Sequence, residues 1–267
     1  MTRVVWLADI HLDLASAKAI DAFLEALVAS EPDAVLIGGD IAEQGLNEHL
    51  MQIAMRAEVP VYFVLGNHDY YGKHIADVRA EVRYLCAEVP ILHWLPEAGV
   101  VPLTEETALL GHGAWSDGRY GDYMGSGVLL NDYVSIRDLR PLDQGERWGR
   151  IKSLADEAAL YLQDTLPSAL RQYKQVVLLT HSPPFREATW YMNEIPDWDD
   201  PYLPHFSCKA VGDVLLDMMP RFPQTHLIVL CGHTHSGGRV QMLDNLEVLT
   251  GAAEYGQPAI QHVFQLA

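Results

Sequence analysis

Five apolar runs in this 267-residue chain end in side chains that bind metals or carry protons. Val4 to Leu7 leads into Asp9-Ile10-His11, and Ala34 to Ile37 into Gly38-Gly39-Asp40. Val61 to Leu65 runs into Gly66-Asn67-His68-Asp69, and Gln175 to Leu179 into Thr180-His181. Leu227 to Leu230 is followed by Cys231-Gly232-His233-Thr234-His235. Taken singly, each has an ordinary explanation: an aspartate caps the next helix, Gly-Asn makes a turn, Gly-His-Thr-His is a polar turn. Recurrence at five strand ends is not explained that way. Carboxylate, imidazole and amide oxygen without thiolate is a donor mixture for a pair of borderline ions, manganese, iron or zinc, rather than calcium alone.

These residues need elements that deliver them to one place. Runs rich in β-branched residues and without polar alternation predict strands buried on both faces, and open α/β sheets place ligands at the carboxyl ends of such strands. In extended backbone Asp9 and His11 face the same side, and a straight strand would aim His233 and His235 together as well. Helices are expected from an Asp13 N-cap to about 30, then over 45–57, 74–87, 150–173 (with Pro167 ending or kinking it) and 209–219. Val100 to Leu103 and Thr107 to Gly111 read as a hairpin, and the tail as closing strands over 238–243, 246–249 and 260–266. Strand-helix alternation implies parallel pairing and the later hairpins a partly antiparallel second sheet, so an α/β assembly of two sheets back to back is expected. Residues 115–132 and 185–206 have neither period. A loop as long as the second is uncommon unless functional, which makes it a candidate lid or insert.

Composition narrows the function classes. At 49% hydrophobic and 20% charged, the chain reads as a globular protein forming one domain over 1–267. Three widely spaced cysteines point to a reducing compartment and away from a thiolate zinc cluster or a disulfide scaffold. No leader pattern or bilayer-length apolar run is present, so a cytoplasmic protein without membrane attachment is expected. A formal charge of −18 disfavours nucleic acid as a partner but not a small phosphorylated substrate held at local cations.

Asp9-x-His11, Gly39-Asp40, Gly66-Asn67-His68-Asp69, His181 and Gly232-His233-Thr234-His235 resemble, in order, the signature blocks of the calcineurin-like metallophosphoesterase superfamily. The resemblance implies a four-layer α/β/β/α sandwich of two mixed β-sheets flanked by helices, with a two-metal site at the strand ends. It implies Asp9, His11 and His235 on one ion, Asn67, His181 and His233 on the other, and Asp40 bridging. His68 is implied as a non-ligand acid, and Asp69 completes the block as a catalytic candidate. The implied activity is hydrolysis of a small phosphomonoester or phosphodiester by a hydroxide shared between two ions, which offset the repulsion between nucleophile and phosphate. Glu43 is open to two readings, orienting His68 or capping the following helix, and Gln44 cannot supply the arginine that protein phosphatases of this superfamily carry there. Arg119 is a candidate replacement for that phosphate contact, and Trp190 with Tyr191 for stacking on a planar leaving group. A non-catalytic scaffold of the same fold is the alternative, and it would be expected to have lost ligands.

Overall fold

The computed structural model describes residues 1–267. In chain order the main elements are β1 (Thr2–Leu7), α1 (Ala17–Ala29), β2 (Ala34–Gly38), α2 (Leu46–Ala57), β3 (Val61–Val64), α3 (Ile75–Glu88), β4 (Leu92–Trp94), and a single turn α4 (Leu95–Ala98). There follow β5 (Val101–Pro102), β6 (Thr107–Gly111), a single turn α5 (Asp132–Ser135), α6 (Gln144–Gln172), β7 (Gln175–Leu179) and α7 (Lys209–Met218). Strands β8 (His226–Cys231), β9 (Gly238–Leu243), β10 (Leu246–Thr250) and β11 (Ile260–Leu266) complete the chain.

The strands form two mixed sheets, ordered β11-β1-β2-β3-β4 and β5-β6-β7-β8-β10-β9. Strands β1 to β4 pair in parallel, as do β6, β7, β8 and β10, while β11, β5 and β9 pair antiparallel at the edges. Alternation along the central strands explains the layering. Val5 and Leu7 pack into the cluster that includes helical Phe23, Leu27 and Leu50. Val4, Trp6, Leu36 and Val64 instead meet Leu109, Val177, Leu179 and Leu230 of the other sheet in a separate cluster. The central strands are thereby dry on both faces, which is why they read as unbroken apolar runs. The result is the helix, sheet, sheet, helix sandwich expected from the resemblance.

Two helix starts differ from the sequence reading. Helix α1 is capped by Ser16, whose Oγ accepts the Ala19 N–H at 3.2 Å, while Asp13 sits in a preceding 3-10 turn and accepts the Gln44 N–H. Helix α6 begins at Gln144, six residues before the expected start, because Asp143 and Glu146 form a reciprocal capping box. It also continues through Pro167 rather than ending there. The 115–132 segment is largely irregular, and 185–206 is built from short 3-10 turns at Arg186–Ala188 and Leu203–His205.

Candidate metal centre

Each ligand-type residue lies just past the end of its strand, and the backbone there does not stay extended. Asp9, His11, Asp40, His233 and His235 have φ of 50°, 37°, 49°, 75° and 58°, half of the ten non-glycine residues with positive φ. A left-handed conformation costs an L-residue roughly 1–2 kcal/mol, so its concentration here marks a site held by its surroundings. The period-two expectation for Asp9 and His11 therefore fails in its geometry. The two residues converge by left-handed turns, and the bend at His233 and His235 lets adjacent imidazoles serve different neighbours. Close backbone approach is needed as well: a Cβ on Gly232 would lie 2.0 Å from Asp9 Oδ2, and one on Gly66 2.2 Å from Asp40 Oδ1. Only glycine fits either place.

The side chains form two donor groups that share one carboxylate. Asp9, His11, Asp40 and His235 present ligand atoms within 4.8 Å of one another, and so do Asp40, His181 and His233. Asn67 joins the second group through Oδ1, 2.8 Å from His181 Nε2. All seven residues named as ligands are thus brought together, drawn from both sheets.

Outer contacts fix which atom each residue offers. His181 Nδ1 lies 2.9 Å from the Gly38 carbonyl and so carries the proton, leaving the Nε2 lone pair for the cluster. His233 Nε2 faces the His205 carbonyl at 3.3 Å and Ser116 Oγ at 3.2 Å, which frees Nδ1. Asp40 Oδ1 accepts the His68 N–H at 2.9 Å and Asp9 Oδ1 the His233 N–H at 2.8 Å.

Electrostatics favour cations at this place. Burial pushes the imidazoles of His11 and His235 down to about 2 and about 4, helped by neighbouring histidines, so both are neutral at physiological pH, as metal ligation requires. Burial also drives the Asp9 and Asp40 carboxyls well above the usual range, with neighbouring carboxylates adding to it. Asp9 Oδ2 and His11 Nδ1 are buried without a protein hydrogen-bond partner. Neutral imidazoles, crowded carboxylates and an orphaned carboxylate oxygen fit bound divalent ions, whose positive charge would return these acids to their ionised form.

His68 stands beside this cluster with its own support. Its Nδ1 donates to Glu43 Oε1 at 2.7 Å, and its Nε2 lies 4.0 Å from Asp40 Oδ2. The Tyr71 ring stacks on it at 4.4 Å. Glu43 therefore orients His68, and the helix-cap reading of that residue is set aside. Asp69 behaves differently from the sequence expectation. Its buried carboxylate accepts N–H bonds from Ile41, Ala42 and Gly66 at 2.8, 3.0 and 2.8 Å, so it ties the Asp40 and Asn67 loops together rather than facing a substrate.

A cavity of about 260 Å³ adjoins the cluster, and Tyr191 lines it as expected. Arg119 and Trp190 do not line it. The Arg119 guanidinium is consumed by Asp117 at 2.8 Å and Asp156 at 2.6 Å. Trp190 lies over Gly238, where a Cβ would approach its Nε1 to 1.9 Å. Tyr71, Leu130, Asn131, Asp132, Phe206 and Tyr255 also line it, and the sequence reading singled out none of them as site residues. Asp132 Oδ1 accepts from Asn67 Nδ2 at 2.8 Å and from Tyr71 OH at 2.6 Å, and Tyr255 leans on the rings of His11 and His235 at 4.7 and 4.8 Å. None belongs to a spaced motif, and the sequence signal was limited to Asp132 and Phe206 each closing an aperiodic segment.

Comparison with known proteins bears on the fold and the family. A dimetal phosphatase from Danio rerio has a similar fold, with a TM-score of 0.56 at 13% identity, covering 94% of this chain and 87% of that one. A curated Bos taurus protein, described as a transmembrane protein with a metallophosphoesterase domain, is 30% identical over 80 residues. That match spans 28% of this chain and only 18% of the relative's length. No helix here is long and apolar enough to cross a membrane. The family model described as calcineurin-like phosphoesterase matches residues 2–237, and with the sandwich and the clustered ligands in place, the chain belongs to that family.

Proposed function

We propose that this protein hydrolyses a small phosphomonoester or phosphodiester with two bound ions, of manganese, iron or zinc type. The observation that carries the proposal is the pair of donor groups sharing Asp40, with a non-ligand histidine at their edge. When bound, the ions supply positive charge that offsets phosphate repulsion and lowers the pKa of water. The remaining steps belong to the chain. Glu43 holds the His68 imidazole by Nδ1, which turns Nε2 toward the cavity. From there Nε2 delivers a proton to the departing ester oxygen or steadies the charge that develops on it. Tyr71 stacked on His68 prevents the ring from turning away, and Asp132 fixes the Asn67 amide. The formal charge of −18 and the lack of lysine or arginine in the cavity lining argue for a small substrate over nucleic acid. Three unpaired cysteines support a reducing, cytoplasmic setting.

The test is turnover of a nitrophenyl phosphate monoester and its bis-ester by metal-loaded protein, with metal content measured on the same sample. His68→Ala is expected to lower kcat by about 10²–10⁴ while keeping its metal, and Asp40→Asn to lose metal and activity together. Wild-type protein that binds no metal, or a His68→Ala variant as active as wild type, would sink the proposal in favour of a non-catalytic scaffold.

A further inference from the structure

Beyond the ligands, the cavity has an unusual wall for a phosphate ester site. Tyr71, Tyr191, Phe206 and Tyr255 line it together with Leu130, and none of its twelve lining residues is lysine or arginine. The one ionisable acid outside the metal cluster is Asp132. Cations of the two irregular segments and of the start of α7 are committed to other partners: Arg119 to Asp117 and Asp156, Lys209 to Asp213, and Arg186 to the Pro196 carbonyl and the face of Trp198.

The aromatic wall is anchored to the metal loop. Tyr191 and Glu194 exchange backbone hydrogen bonds of 2.8 and 3.0 Å across a two-residue turn at Met192 and Asn193, both with positive φ, 52° and 65°. This is the geometry of a tight hairpin. The Asn193 N–H then donates to Ser236 Oγ at 3.2 Å, next to His235. Tyr191 packs on Phe206 at 4.7 Å, and Phe206 meets the His233 ring edge-on at 5.8 Å. On the other side Tyr255 covers His11 and His235. The stacking surface is therefore fixed relative to the place where the phosphoryl group would be held.

Resting on the phosphoesterase assignment, we infer that the substrate carries a single phosphoryl group esterified to an uncharged alcohol with a flat ring. The two ions account for one phosphate. A second phosphate would have to enter the rest of the cavity, where it meets a carboxylate and no cation, so it is repelled. A flat ring entering this cavity of about 260 Å³ gains contact with tyrosine and phenylalanine faces.

The experiment separates ring from reacting centre. With manganese-loaded protein, kcat/KM is measured for adenosine 5′-monophosphate, ribose 5-phosphate and adenosine 3′,5′-bisphosphate, and for the methyl diesters of the first two. In each pair the phosphoryl group is esterified to the same ribose 5-hydroxyl, and the compounds differ in carrying adenine or a hydroxyl at the anomeric carbon. The adenosine compound is expected to exceed its ribose counterpart by about tenfold, the scale of one base-aromatic stack, and the bisphosphate to fall below the monophosphate. Tyr191→Ala is expected to collapse the adenosine-to-ribose ratio toward one. Equal turnover of adenosine and ribose compounds, or a preferred bisphosphate, overturns the leaving-group assignment alone. No turnover of any compound, nitrophenyl esters included, overturns the phosphoesterase assignment and this inference with it.

Discussion

Asparagine offers an ion either an oxygen lone pair or an N–H, and the two ends of its amide are nearly the same shape. Asp132 Oδ1 takes the Nδ2 end of Asn67 at 2.8 Å, so Oδ1 is the end left for the His181 side of the cluster. The same carboxylate oxygen receives the Tyr71 hydroxyl, linking the ligand to the ring stacked on His68. Asp132→Asn replaces an acceptor-only partner with one that can also donate, and the Asn67 amide loses its fixed sense. The expected result is a 10–100-fold weaker second ion, the usual scale for an outer contact to a metal ligand. Metal titration should show one ion lost before the other, and activity should recover at high metal concentration. Parallel loss of both ions would show that Asp132 only supports folding. Sequence spacing could not have exposed this residue, since its partner lies 65 positions away and outside any motif.

At the level of elements, the residues that cluster were legible because each strand is buried on both faces and ends abruptly in polar residues. What was misread is instructive in physical terms. Asp9 and His11 were assigned to one side of a strand, whereas β1 stops at Leu7 and left-handed turns do the aiming. Periodicity says nothing about residues beyond the last paired one. The start of α6 was missed although Asp143-x-x-Glu146 is a capping-box pattern, because Gly145 and Gly149 dilute the helical signal around it. Asp143→Ala removes that box and should cost about 1 kcal/mol, seen by calorimetry as a fall in Tm of about 2–4 °C. No change would mean that packing of α6 on its sheet sets the helix start without the cap. Arg119 and Trp190 were chosen for side-chain type alone. Neither type nor loop position reveals that Asp117 and Asp156 already occupy the guanidinium, or that the indole covers a glycine.

At the scale of the whole molecule, a formal charge of −18 surrounds the place where bound ions would supply a small positive focus. An anionic substrate approaches against the first before it feels the second. Screening shortens from about 30 Å at 0.01 M salt to about 8 Å at 0.15 M, so kcat/KM should rise over that range. A fall would mean that local attraction by the ions dominates the approach. The division of ligands between the sheets has a mechanical consequence. Asp9, His11, Asp40 and Asn67 follow strands of one sheet, while His181, His233 and His235 follow strands of the other. Each donor group draws on both. Bound cations would thus act as a clasp across the sandwich, resisting any sliding of one half over the other. Amide protons in β2 and β7, far apart in sequence, should then slow their exchange in step as the clasp closes.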